Sequence, residues 1–222
     1  ATGFTVPVSK DSGEITLELT ESGPSEAYEL EISDAGIRIT AAGEAGLFYG
    51  VQTLIQLFPA DITQTAVQSR DWVLPQGKVS DAPDFAYRGS MLDVARHFIS
   101  KEDVKFYIDQ MVSMKLNYLH LHLTDDQGWR IEIKKYPKLT SVGAFRDSTV
   151  IGHYNRSPRE YEVKKYGGFY TQEEIKDIVL YAKKRYVTIV PEIEMPGHSR
   201  AALAAYPELS CTGETQNVPG LW

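Results

Sequence analysis

Acids, imidazoles and a guanidinium gather directly behind three apolar runs of this sequence. The first run is Tyr87-Arg-Gly-Ser-Met-Leu-Asp-Val-Ala-Arg-His-Phe98 and the second is Leu119-His-Leu-His-Leu-Thr-Asp-Asp-Gln-Gly-Trp-Arg130. The third is Val187-Thr-Ile-Val-Pro-Glu-Ile-Glu-Met-Pro-Gly-His198. Each apolar half suits a parallel strand buried on both faces, and each polar half then falls at the strand's exit, where an α/β barrel carries its chemistry. Three strands with polar residues at their exits read as a piece of an enzyme. His120 and His122, with Asp125 and His198, could ligate a metal in a hydrolase of the amidohydrolase kind. Against the metal, both histidines read as mid-strand residues, and no second histidine pair occurs.

Ordinary structural roles stand beside these. An arginine near a strand end often makes a surface ion pair, and Asp125 beside Asp126 could cap a loop. His198 after Pro-Gly could cap a short helix. Histidines alternating inside an apolar strand are usually hydrogen-bonded core residues.

The elements that must position these groups read as two domains. In residues 1–80, Ile15–Leu19 alternates as a half-buried strand, and Tyr28–Ile32 with Ile37–Thr40 flank a turn at Ser33–Gly36. Leu47, Val51, Leu54, Ile55 and Phe58 then fall on one face of a helix that Pro59 ends. This is a small α+β sandwich with a supporting role. Val79–Asp84 reads as the boundary segment.

From residue 81 to 222, strands alternate with helices. Ser100 opens a helix whose stripe is Val104, Tyr107, Ile108, Met111 and Val112. Thr171 with Glu174 opens another, facing inward through Ile175, Ile178, Val179 and Ala182. A short helix follows around Ser199–Ala205. Such βα units predict a parallel sheet and an α/β fold: the first three units of a partial (β/α)8 TIM barrel. The connection between Trp129 and Tyr170 is far longer than usual. With its charged section from Arg146 to Lys165 it reads as a wall of a substrate cleft, the part around Asn155–Lys165 equally as a solvated insertion. Asn155-Arg-Ser157 matches a glycosylation acceptor, a triplet that is common by chance.

Composition narrows the partners. With 23 basic and 30 acidic residues the chain carries −7, which argues against nucleic acid or an anionic membrane. No apolar run approaches a membrane span of roughly 18 residues. Thirteen tyrosines and three tryptophans suit stacking on sugar rings, or simply a core. The single cysteine, Cys211, excludes a disulfide within the chain. A secreted or periplasmic compartment is the expectation.

Taken together, the three strand exits resemble those of the family 20 glycoside hydrolases, the β-N-acetylhexosaminidases. Gly46-Leu-Phe-Tyr-Gly-Val-Gln-Thr-Leu-Ile-Gln56 also resembles that family's accessory domain. The resemblance runs over nearly the whole chain, with one departure at Glu194, where the family usually has aspartate. It implies removal of a terminal β-linked N-acetylhexosamine from a glycan or chitooligosaccharide, without cofactor or metal. The implied mechanism is substrate-assisted and retaining, an exception to the two-carboxylate scheme. The sugar's acetamido oxygen attacks the anomeric carbon, an aspartate holds the acetamide, and an adjacent glutamate protonates the leaving oxygen. By motif match, Arg96 corresponds to the arginine that binds ring hydroxyls, and Asp125 and His198 to the relay behind the glutamate.

The Asp-Glu pair itself belongs to the family's fourth barrel strand, and no Asp-Glu dipeptide occurs in this sequence. The expectation is therefore a chain cut at both ends and inactive alone, with the rest of the barrel supplied by the same gene or a second chain. The alternative is a non-catalytic sugar-binding relative that kept the fold without the pair. Were the segment active, its acid would have to be sought among Asp125, Asp126, Glu192 and Glu194.

Overall fold

Residues 5–10 and 13–221 are described by the computed structural model. They divide into two units: residues up to Tyr87 together with Ser113–Lys115, and Arg88–Val112 together with Leu116 onward.

The first unit holds a four-stranded sheet of order β1-β3-β2-β4 and one covering helix. Its strands are β1 (Ile15–Leu19), β2 (Tyr28–Ser33), β3 (Gly36–Ala41) and β4 (Gly77–Asp81), and its helix is α1 (Glu44–Leu57). β2 and β3 pair antiparallel as far as Ser33 opposite Gly36, leaving a two-residue turn. Gly36 sits at φ +124°, and a Cβ there would also strike the Glu14 carbonyl, so both backbone shape and space require glycine. Tyr28, Leu30 and Ile32 alternate into the core, while Glu29 and Glu31 point outward.

Three expectations for this unit change. The boundary segment begins inside β4, which pairs with β2 from Tyr28–Asp81 to Ile32–Gly77. β1 is not half-buried: it pairs parallel with β3 at the sheet edge, and Ile15, Leu17 and Leu19 are all exposed. The face that α1 buries is Gly46, Tyr49, Gly50 and Leu54, with Leu47, Val51 and Ile55 only half-buried on its flanks. The two glycines let the helix approach closely. A Cβ at Gly46 would meet the Ala27 carbonyl, and one at Gly50 would lie 2.5 Å from Ile39 Cγ2.

The second unit is organised on three parallel strands, β5 (Gly89–Asp93), β6 (Tyr118–His122) and β13 (Thr188–Glu192), with β6 in the centre. Helix α2 (Lys101–Ser113) connects β5 to β6, and α4 (Gln172–Lys183) precedes β13. Ser100 Oγ accepts from the Asp103 amide at 3.1 Å to start α2. Thr171 and Glu174 form a full capping box at α4. α2 buries Val104, Ile108, Met111 and Val112, and Tyr107 ties it to β5 through a 2.6 Å bond to Ser90 Oγ. α4 buries Ile178 and Ala182. Val179, expected inward, is exposed, because the buried stripe runs through i and i+4 and leaves its i+1 neighbour at the flank.

The sheet is not buried on both faces. Leu119 and Leu121 of β6 are fully covered, while their row-mates Ser90, Leu92 and Ile189 are half-buried and Pro191 is exposed. On the other face Met91 of β5 and Val190 of β13 stand half-open beside His120.

The long connection is a folded region. After β6 come the short antiparallel pair β7 (Thr124–Asp125) and β8 (Gly128–Trp129), then α3 (Lys138–Ser141). β9 (Phe145–Arg146) pairs with β12 (Tyr166–Gly167), and between them β10 (Thr149–Ile151) pairs with β11 (Glu160–Glu162). Ile131 makes a single parallel bridge to Tyr170. Trp129 anchors the region in a small core with Leu139, Val218 and the alanines of α5 (Arg200–Ala205). Residues 151–165 are solvent-exposed throughout, Asn155 and Ser157 included.

Candidate active site

Parallel register assembles the site. Asp93, His122 and Glu192 are the last residues of β5, β6 and β13, and they stand side by side in one row. His122 is therefore a strand-exit residue and not the mid-strand one expected. The chain turns after each strand, and the turns bring in Arg96, Asp125 and His198.

Arg96 is the hub. Its Nη1 donates to Asp93 Oδ2 at 2.7 Å, and its Nη2 donates to Asp125 Oδ2 at 2.8 Å. Asp93 also accepts, through Oδ1, the amides of Ala95 and Arg96, each at 3.0 Å, which shapes the turn that carries the arginine. His122 is buried, and its Nε2 lies 2.9 Å from the Thr124 carbonyl. A carbonyl only accepts, so Nε2 carries the proton, and Nδ1 is free to accept from Arg96 Nη1 at 3.1 Å.

Asp125 is only 2% exposed and is bound through both oxygens. Oδ2 faces Arg96 and lies 3.2 Å from His122 Nε2, while Oδ1 accepts from His198 Nδ1 at 3.3 Å. His198 is held at φ +49° after Pro-Gly, with 61% of its side chain exposed. With Nδ1 donating to Asp125, its Nε2 is left to face solvent, the arrangement by which a carboxylate orients an imidazole.

At the third strand exit, His120 Nε2 lies 2.5 Å from Glu192 Oε2. Glu192 and Glu194 share a hydrogen bond, and their carboxyls diverge. Burial alone would raise Glu192, but the bond from Glu194 and the two imidazoles outweigh it and hold it below 4.5. The same bond, with some burial and the charge of Glu192, raises Glu194 above 4.5. Of the two, Glu194 is thus the one that releases its proton at the higher pH.

Among the described residues, two groups have ligand atoms close enough to hold a cation: His122 with Glu192 and Glu194, and Asp125 with Asp126 and His198. The trio His120, His122 and Asp125 is not one of them. His120 turns to Glu192, and both nitrogens of His122 are committed, one of them to a cationic guanidinium.

Arg96, Asp125 and His198 thus lie in one cluster. Sequence reasoning left out Asp93 and assigned His122 only to a metal or the core. The signal for both was present: each ends a strand two residues after another residue of the same face.

A mixed α/β unit whose parallel strands deliver carboxylates, imidazoles and a guanidinium to one end defines an enzyme-like strand-exit site. The chain belongs to glycosyl hydrolase family 20. It matches that family's catalytic domain over residues 85–220 and its domain 2 over residues 1–82. It is 49% identical over 186 residues to the beta-hexosaminidase of Porphyromonas gingivalis, covering 84% of this chain and 22% of that protein. With the beta-hexosaminidase of Vibrio furnissii it shares 43% over 199 residues, 89% of this chain and 31% of the other. The structure of the Streptomyces plicatus N-acetyl-beta-hexosaminidase in complex with Thio-NAglucal superposes with a TM-score of 0.88 at 44% identity. It covers 100% of this chain and 42% of that one. The chain thus spans well under half the length of these relatives.

Proposed function

We propose that this chain is the first part of a β-N-acetylhexosaminidase, contributing the sugar-gripping half of the site. The observation that carries the reading is Arg96, fixed between Asp93 and Asp125 at the strand exits with its side chain still partly exposed. A planar guanidinium held this way presents paired N–H groups to adjacent hydroxyls of a terminal sugar. Asp125 orients His198, whose outer nitrogen can exchange a proton with an acid seated beyond it. In the substrate-assisted mechanism that acid is the glutamate of an Asp-Glu pair, and the pair lies outside this chain.

The open sheet supports a partial barrel. Met91 and Val190 are half-exposed on the face that a closed barrel fills with side chains, and β5 and β13 are both edges. On this reading the unit up to Tyr87 is an accessory domain and the unit from Arg88 begins the barrel, completed by the same gene or a second chain. The substrate is a glycan or chitooligosaccharide ending in N-acetylhexosamine, met in a secreted or periplasmic compartment.

The test is hydrolysis of an aryl β-N-acetylglucosaminide by the full product of the gene and by residues 1–222 alone. Turnover by the first and none by the second is expected, since general-acid help alone is typically worth about 10²–10⁴ in rate. Ordinary turnover by the segment would refute this division of labour.

A further inference from the structure

The loop that carries Arg96 is held from outside. Residues 94–99 form no strand or helix, yet five of their six carbonyls accept from side chains of residues 130–170. Arg130 Nε donates to Val94 O at 3.0 Å, and its Nη2 donates to Ala95 O at 2.7 Å. Arg146 Nη1 donates to the carbonyl of Arg96 itself at 2.7 Å. Tyr166 and Tyr170 hold the carbonyls of Phe98 and Ile99 at 3.0 and 2.6 Å.

Neither arginine is a surface charge: Arg130 is 0% exposed and Arg146 2%. Every hydrogen bond of the Arg130 guanidinium ends on a main-chain carbonyl. Besides Val94 and Ala95, it reaches Ala144 at 2.6 Å, Gly168 at 3.1 Å and Gln127 at 3.4 Å, so its five donors are all used. Arg146 reaches the same Gln127 carbonyl at 3.3 Å and Thr149 Oγ1 at 2.9 Å. Gln127 lies in the turn that follows Asp125. The two guanidiniums therefore fasten the turn bearing Arg96 to the turn bearing Asp125. Space is reserved for this, because a Cβ on Gly128 would overlap the Arg130 guanidinium.

We propose that Arg130 and Arg146 are positioning residues for Arg96, and that the long β6–α4 connection is the brace delivering them. The assignment rests on the sugar-binding role proposed for Arg96. Held at its amide by Asp93 and at its carbonyl by Arg146, Arg96 has its main chain set before substrate arrives. Its guanidinium then needs only the two carboxylates to reach a single orientation. Lysine cannot substitute at either position, because three donors on one nitrogen cannot span carbonyls in separate segments.

Amide hydrogen exchange on the full product of the gene, comparing wild type with Arg130→Lys and Arg146→Lys, tests the brace without reference to activity. Exchange at Val94–Arg96 should accelerate by about 10-fold or more, with α2 and α4 unchanged. Unchanged exchange at Val94–Arg96 in either folded variant overturns the proposal; should one variant fail to fold, the other decides.

In the full product of the gene, Arg130→Lys should lower kcat/KM for the aryl glycoside by about 10-fold or more. It should add almost nothing in an Arg96→Ala background. Equal losses in both backgrounds would reduce Arg130 to general support and overturn the assignment. Normal kinetics in Arg96→Ala would instead refute the sugar-site reading, and with it the positioning role.

Discussion

The two sheets of this chain use the same materials to opposite ends. In the first unit the alternation closes on itself. Tyr28, Leu30 and Ile32 meet the glycine face of α1, and the charges lie on the solvated side, as where Arg38 and Lys78 flank Glu31 at 2.7 and 3.2 Å. In the second unit the sheet is fully covered only at Leu119 and Leu121 of its central strand, and the charges converge at the strand ends on buried partners. A polar group costs little on a wet surface and a great deal in a core unless it is paired. Acid, imidazole and guanidinium packed together at low exposure therefore mark where folding has been made to serve chemistry. The first sheet carries no such cluster among the described residues, and a supporting role suits it.

The largest test of this contrast is Arg96→Ala in the full product of the gene. Charged hydrogen bonds are worth about 1.5–3 kcal/mol each, so losing two or more to substrate should cut kcat/KM by about 100-fold or more. Kinetics on the folded variant, checked by circular dichroism, measure it. Gly50→Val should do the reverse. A side chain forced toward Ile39 Cγ2 overpacks the helix–sheet contact and should cost about 1–3 kcal/mol of stability, while kcat/KM per folded molecule stays unchanged. If Gly50→Val cripples turnover at full folding, the first unit is no mere support. Thr171→Ala should be milder, about 1 kcal/mol from the lost cap of α4, read as a lower denaturation midpoint with normal kinetics.

The contrast was only half legible in the residues. Hairpin, capping box and apolar runs announce themselves, because each is a local pattern with a local cause. Arg96, Asp125 and His198 stood out because they match the family's motifs behind three apolar runs. Their neighbours Asp93 and Glu192 could not be placed beside His122 until strand register was known, and register between parallel strands is settled by residues far apart in sequence. Gly46 and Gly50 were overlooked on α1 because apolar periodicity scores side chains, and here their absence makes the contact. Arg146 was read only as the start of a charged section of the connection. Only the folded connection shows that it is buried, on two carbonyls and Thr149 Oγ1.

The smallest effect concerns Glu192 and Glu194, whose carboxyls move apart around one shared hydrogen bond. Glu192 is lowered, so its contribution to stability is present above the unfolded value of 4.5 and is lost as pH falls through its folded value. Glu194 is raised, and for an acid the sign is opposite. Between 4.5 and its folded value the native chain keeps a proton that the unfolded chain has released, so stability declines as pH rises through that window. Glu194→Gln removes the titration while leaving an amide that can donate to Glu192. The variant should lose the decline just above pH 4.5 and keep the loss below it, read as melting temperature against pH beside wild type. Solvent at Glu194 keeps the difference small. If the decline persists in Glu194→Gln, the proton is held elsewhere, and His120 at 2.5 Å from Glu192 becomes the group to replace next.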